Sequence, residues 1–286
     1  VSQGASDSVD LVINVFERTY RHALEAATAT ELRDTNGHSF ARCVVLINNV
    51  SDPEDAARRS QRLVDQGVID EFHFVAERLD GALEVSGLRR DELEPLLHYS
   101  DGPLVAATLP GSPWFLYWDP EARLADRRDW VTPAVELMKR DQRVIVANPS
   151  WEPADAQGRR PGVERETIER LDDFAIGHGF SDQAFLSSRA ALGSPIYRQR
   201  CINRLSYPAA HKAHVFEARI AAYMRHHGRL RATSLTATYV TDAREGTSSY
   251  RPAGVAEWTR YVRNALAVRA LRASPWRPRC MRRTWL

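Results

Sequence analysis

Within its first 76 residues this 286-residue chain alternates three apolar, β-branched runs with two helix signals. Val9 to Phe16 (VDLVINVF) and Ala41 to Val50 (ARCVVLINNV) are apolar enough to be strands buried on both faces, and Asp70 to Ala76 (DEFHFVA) reads as a third. Thr19 to Ala27 reads as a helix with Thr19 as its cap. Ser51-Asp52-Pro53-Glu54 opens a second helix, with a capping side chain, a proline in the first turn and acids at the positive end; the helix stops at Gly67. Few folds accept this order. Parallel strands need crossovers, and crossovers place helices on both faces, so the expectation is a doubly wound α/β sheet.

The pattern continues less regularly. Residues 80–98 read as helical with a break near Gly87, and Leu104 to Leu109 is an apolar stretch. Trp114 to Trp118 (WFLYW) is a strand, Asp129 caps a helix from Trp130 to Arg140, and Val144 to Ala147 is a strand. Residues 152–166, polar with prolines and glycines, read as a mobile loop in which Arg159-Arg160 is placed to close over a bound anion. Short strand signals at 174–180 and 184–187 precede a helix at 215–224. Ser234 to Val240 (SLTATYV) alternates as an edge or half-buried strand does, and a last helix runs from about Ala253 to Leu271.

Composition narrows the class. A hydrophobic fraction of 43% and a charged fraction of 27% exclude a disordered tail protein. Three widely spaced cysteines, Cys43, Cys201 and Cys280, make neither a disulfide framework nor a zinc site. Residues 1–9 lack an apolar signal core and no apolar run reaches the ~18 residues of a membrane span, so a cytoplasmic protein is expected. Lys139 and Lys212 are the two lysines; the other basic residues are arginines, as in a GC-rich genome.

The net charge of +2 conceals a division. Eight of the 39 basic residues lie beyond Glu257 with no acid among them, which leaves 31 against 37 in the preceding chain. The basic segment carries Val255, Trp258, Val262 and Leu266 at helical spacing. It reads either as a helix packed on the body through that stripe or, with Trp276 and Trp285, as a peripheral contact with the inner face of an anionic membrane.

In open α/β sheets ligands bind at the carboxyl ends of the strands. Three polar clusters fall there: Asn14 to Thr19 after the first strand, Asn48 to Asp52 after the second, and Asp119-Pro120-Glu121 after the aromatic strand. The last can present carboxylate oxygens to a hard divalent cation shared with phosphate and water, or it can be a plain turn.

In their order along the chain, these segments resemble the GT-A glycosyltransferases of the broad family-two type. Asn14-x-x-Glu17-Arg18 is similar to the opening strand and turn of that family, Asn48-Asn49-x-Ser51-Asp52 to its second-strand region, and Asp119-Pro120-Glu121 to its acidic metal motif, here ending in glutamate. Phe180-Ser181-Asp182-Gln183 resembles the acceptor-side acidic segment. The resemblance runs from about residue 9 to 242.

The resemblance implies a mainly parallel GT-A-like sheet. A Rossmann-like nucleotide-sugar-binding half (about 1–125) is expected to be fused to an acceptor half (126–258), with a basic C-terminal helix and tail at 259–286. The implied activity is transfer of a sugar from a nucleoside-diphosphate sugar, UDP being the first guess, to an acceptor hydroxyl, assisted by Mn2+ or Mg2+. Asn14, Glu17, Arg18, Asn49, Asp52, Trp118 and Asp119 are the implied donor-binding residues. Asp119, Glu121 and Asp242 are the implied metal ligands, and Asp182 the implied base of an inverting displacement. No nucleic-acid partner is expected. Two other readings stay open. A nucleotidyltransferase would want a glycine-rich loop where Phe16-Glu17-Arg18-Thr19 stands. A non-catalytic nucleotide-sugar-binding relative would show binding without turnover.

Overall fold

The computed structural model describes residues 7–202, 205, 207, 209–241 and 251–273. Asp242 and the segment from 274 onward, with Trp276 and Trp285, lie outside the described residues. The chain runs β1 (Val9–Phe16), α1 (Tyr20–Ala23), α2 (Ala26–Asp34), β2 (Arg42–Asn48), α3 (Pro53–Asp65), β3 (Glu71–Phe74), α4 (Val75–Ser86), α5 (Asp101–Thr108), β4 (Trp114–Trp118) and β5 (Ala122–Leu124). It continues with α6 (Val131–Arg140), β6 (Val144–Ser150), α7 (Pro161–Glu166), β7 (Thr167–Leu171), β8 (Phe174–Gly177), β9 (Ala184–Ser188), α8 (Arg189–Leu192), α9 (Phe216–His227), β10 (Leu230–Thr241) and α10 (Val255–Ala273).

One sheet runs through the molecule in the order β3-β2-β1-β4-β9-β6-β10-β8-β7, with β5 paired to β10. The first four strands are parallel. β9 then enters antiparallel between β4 and β6, and β10 returns parallel to β6. Most strands of the path therefore point one way, as the α/β reading expects, with β9 and β8 reversed. Helices cover both faces. On one, α2, α3 and α6 pack through Leu32, Ala56, Leu63, Val135 and Met138. On the other, α4, α5 and α9 pack through Leu79, Leu83, Val105, Phe216 and Ile220.

Local chemistry accounts for most element ends. Asp52 accepts the Asp55 N–H at 2.9 Å and caps α3, and Gly67 closes it at φ +67°, a left-handed conformation open to glycine. Gly87 ends α4 in the same way. Asp129 accepts the Thr132 N–H at 2.9 Å ahead of α6. An aspartate stands inside β1: Asp10 is fully buried, and it accepts from Arg42 at 2.7 Å, Arg189 at 2.9 Å and the Ser112 N–H at 3.0 Å. Burial pushes that carboxyl up, but the hydrogen bonds outweigh burial and hold it below the usual carboxylate range.

Two expectations change and two are made specific. The helix expected at 19–27 is two pieces, α1 and α2, broken at Leu24 and Glu25. Leu104 to Thr108 of the apolar stretch belong to α5, whose residues 101–107 are all buried, so it shows no polar face. Of the two readings of SLTATYV the half-buried strand holds: Ser234, Ala237 and Tyr239 are buried while Thr236 and Val240 are exposed. The stripe Val255, Trp258, Val262 and Leu266 does not pack on the body; all four are exposed. Among the described residues no helix is long and apolar enough to cross a membrane.

Candidate active site

The pairing of β4 assembles the site. Its parallel register with β1 sets Ile13 opposite Trp118, and its antiparallel register with β9 sets Trp118 opposite Ala184. The residues that follow these ends, Asn14 on one side and Gln183 and Asp182 on the other, therefore flank Asp119. The Asp119 N–H donates to the Gln183 carbonyl at 2.7 Å.

Asp119, Pro120 and Glu121 form a tight turn. Asp119 Oδ1 accepts the Glu121 N–H at 2.9 Å, while Oδ2 has no hydrogen-bond partner among the described residues. Trp118 holds the turn from beneath: it is fully buried and its indole N–H donates to the Ala122 carbonyl at 2.8 Å. It sits in the core and exposes no face to a sugar. Glu121 pairs with Arg18 at 3.0 Å, which joins the turn after β1 to the turn after β4. Burial, then the charges of Glu121 and Asp182, raise the Asp119 carboxyl to about 7.

Such a carboxylate concentration invites a cation, and the donor set suits Mg2+ or Mn2+, which take one or two carboxylates and fill the rest of their shell with phosphate and water. Asp119 has an oxygen to offer. Glu121 is shared with Arg18. No cluster of three metal-ligating side chains occurs among the described residues.

The donor-side residues divide. Asn14 is buried and its Oδ1 has no hydrogen-bond partner among the described residues; Gly102 of α5 presses on it, since a Cβ there would lie 2.5 Å from that oxygen. Asn49 adopts φ +48°, and its amide donates to Asn48 Oδ1 at 2.7 Å and to Asp101 Oδ2 at 3.3 Å. Asp101 also accepts from Asn48 at 2.7 Å and from the Gly102 N–H at 2.7 Å. Burial raises its carboxyl above the ordinary value despite these bonds. Glu17 accepts the Ser51 N–H at 2.6 Å and ties the β1 and β2 turns together. Asp52 is engaged as the α3 cap.

On the other side of Asp119, Asp182 lines a cavity of about 210 Å³ with Tyr99, Ser181, Gln183, Tyr207, Val215 and Glu217. Burial raises Asp182 to about 6. Burial, then the charges of Asp182 and Glu166, push Glu217 well above the carboxylate range, with Arg231 opposing. Arg231 itself pairs with Glu166 at 2.6 Å and lies over the Trp151 ring at 4.5 Å. Tyr239 stands 3.3 Å from the Ser181 hydroxyl. His178 is neutral and only a weak base at neutral pH: burial and the charge of Arg225 hold it down at about 4. In the 152–166 segment, Arg160 donates to the Glu152 carbonyl at 3.1 Å and to Thr238 at 3.4 Å, and Arg159 pairs with Asp155.

Sequence reasoning missed Asp101 and Glu217. Each is an acid near a helix start, where a solvated first-turn residue is the ordinary expectation. A hint was available at Asp101, since the run after it is apolar all round and leaves no solvent-facing side.

No protein-family model matches the sequence, and no curated protein matches it. Among solved structures the chain is similar to GalNAc-T7, crystallised with UDP, GalNAc and Mn2+, at a TM-score of 0.45 and 10% identity over 91% of this chain and 47% of that one. It is also similar to mouse xyloside xylosyltransferase 1 in its apo form, at a TM-score of 0.42 and 14% identity over 78% of this chain and 84% of that one. The chain thus spans about half the length of the first of these, and both likenesses are of fold.

Proposed function

We propose that this protein transfers a sugar from a nucleoside-diphosphate sugar to an acceptor hydroxyl. The observation that carries this reading is the register of β4 between β1 and β9. It brings a half-buried acid at a strand end, Asp119, beside a cavity holding a second acid, Asp182. A glycosyl transfer needs both: charge stabilisation where the diphosphate departs, and a base where the hydroxyl attacks.

The turns after β1 and β2, with Asn14, Glu17, Arg18 and Asn49, take the nucleotide, with UDP as the first candidate. Arg18 is half-exposed and its guanidinium suits phosphate oxygens. Asp119, with Glu121 second, would hold Mn2+ or Mg2+. Bound there, the ion would supply charge stabilisation for the departing diphosphate. Asp182, raised to about 6, is ionised at neutral pH yet still basic enough to take a proton from an acceptor hydroxyl, which gives direct displacement with inversion. A cavity of about 210 Å³ has room for roughly seven waters, the scale of a single sugar ring.

A thermal-shift panel of UDP, GDP, CDP and dTDP, each with and without Mn2+, tests the reading. One nucleotide should stabilise the protein in a metal-dependent way. Donor hydrolysis should then follow with the matching nucleotide sugars. A shift without hydrolysis or transfer would favour the non-catalytic binder, and no shift from any nucleotide would sink the donor assignment.

A further inference from the structure

Helix α10 is seated on the body along one side and bare along another. Glu257 lies 3.8 Å from Lys212, the Tyr261 ring meets the His211 ring edge-on at 5.5 Å between centroids, and Val268 is buried. At 100° per residue these three positions share a side. The apolar stripe is turned roughly 120° away from it. Val255, Trp258, Val262 and Leu266 are 86%, 52%, 48% and 61% exposed. A globular helix ordinarily buries its apolar stripe, and this one presents it to solvent.

The charge around the stripe is of one sign. Arg263, on the flank beside Leu266, and Arg269 are exposed, and no acid follows Glu257 in the sequence. Arg269 falls within the stripe, where a long aliphatic stem lets the guanidinium reach outward while the methylenes lie along apolar surface.

We propose that this face of α10 docks on the surface of an anionic lipid bilayer. Trp258, Val262 and Leu266 enter the boundary between headgroups and acyl chains, and the arginines meet lipid phosphates. Charge decides against a second copy as the occupant, because two such faces would set arginine against arginine with no acid to relieve them. The position of the helix adds a consequence. Its seat is the segment of His211 and Lys212, between Ala209 and Val215, which line the cavity of Asp182. The docking helix thus adjoins the wall of that cavity. The docking itself does not depend on the proposed reaction.

Co-sedimentation of the full chain with phosphatidylcholine vesicles, with and without phosphatidylglycerol, tests this. The protein should sediment with the anionic vesicles at low salt and be released as salt rises. Exposed Val262→Ser with Leu266→Ser should weaken binding about tenfold or more, since burying two such side chains exceeds one decade of affinity. Arg263→Gln with Arg269→Gln should weaken it about tenfold and flatten the salt dependence. An unchanged melting temperature shows that each variant is folded. Failure to bind anionic vesicles, or undiminished binding by the serine variant, would overturn the proposal. So would a dimer that the serine variant dissolves.

Discussion

The Asp119 N–H donates to the carbonyl of Gln183 at 2.7 Å, which sets two acids 63 positions apart in sequence, Asp119 and Asp182, on neighbouring strand ends. The bond continues the β4–β9 ladder by one residue past Trp118 and Ala184. Both acids are raised, chiefly by burial, to about 7 and about 6. The two are not equivalent, because Asp119 spends one oxygen on its own turn while Asp182 faces the cavity.

Loss of the Asp119 carboxylate should remove charge stabilisation at the leaving diphosphate. Asp119→Ala is expected to lower turnover ~100-fold or more, on the scale of removing one preorganised stabilising group. Steady-state donor hydrolysis checks this, and unchanged activity would remove Asp119 from the mechanism.

The same residue makes a prediction about stability. An acid raised from 3.8 to about 7 holds its proton more tightly in the folded than in the unfolded chain, so the ligand-free protein loses stability as pH rises through that window. Asp119→Asn is neutral throughout. It should raise the melting temperature at about pH 8 by a few degrees and leave it nearly unchanged at about pH 4. Thermal melts across pH show this directly; an equal shift at both ends would mean that Asp119 does not titrate as its burial requires.

Asp182 should govern the acid side of the rate profile. A base near 6 works only when ionised, so transfer should fall as pH drops below about 6 and level off above it. Asp182→Asn should abolish transfer while the nucleotide-induced thermal shift survives. Loss of that shift would move Asp182 to the donor side.

Gly102 is held to glycine by its neighbour. Alanine is ordinarily the better helix residue by about 1 kcal/mol, but a Cβ here would lie 2.5 Å from Asn14 Oδ1. Gly102→Ala should cost about 1–3 kcal/mol in a urea melt, the usual cost of overpacking. Asn14→Ala should recover much of that cost in a double-mutant cycle.

Asp10 offers a test away from the site. Asp10→Ala leaves Arg189, itself mostly buried, without its carboxylate, and should cost about 3–5 kcal/mol. Its depressed pKa contributes stability that is present above the ordinary carboxylate value and lost as pH falls toward the folded one, so the gap between wild type and variant should narrow in acid.

What the sequence by itself determined is local. β1 could be read from its unbroken apolar run, α3 from Asp52 and Pro53, the turn at 119–121 from its proline, and the division of charge near residue 258 from counting. Each depends on neighbours within a few positions, where steric preference and short-range hydrogen bonds dominate. The tertiary structure decided the rest. The insertion of β9 between β4 and β6 joins residues some 70 apart, at 114 and 188, and no periodicity encodes such a partner. That insertion makes Asp182 a neighbour of Asp119, and the packing of α9 behind it turns Glu217 from an ordinary first-turn acid into a half-buried one facing the same cavity. In α10 the apolar spacing was legible, but its burial was not. Spacing defines a stripe, whereas which side of a helix meets the body is set by contacts such as Glu257 with Lys212 and Tyr261 with His211.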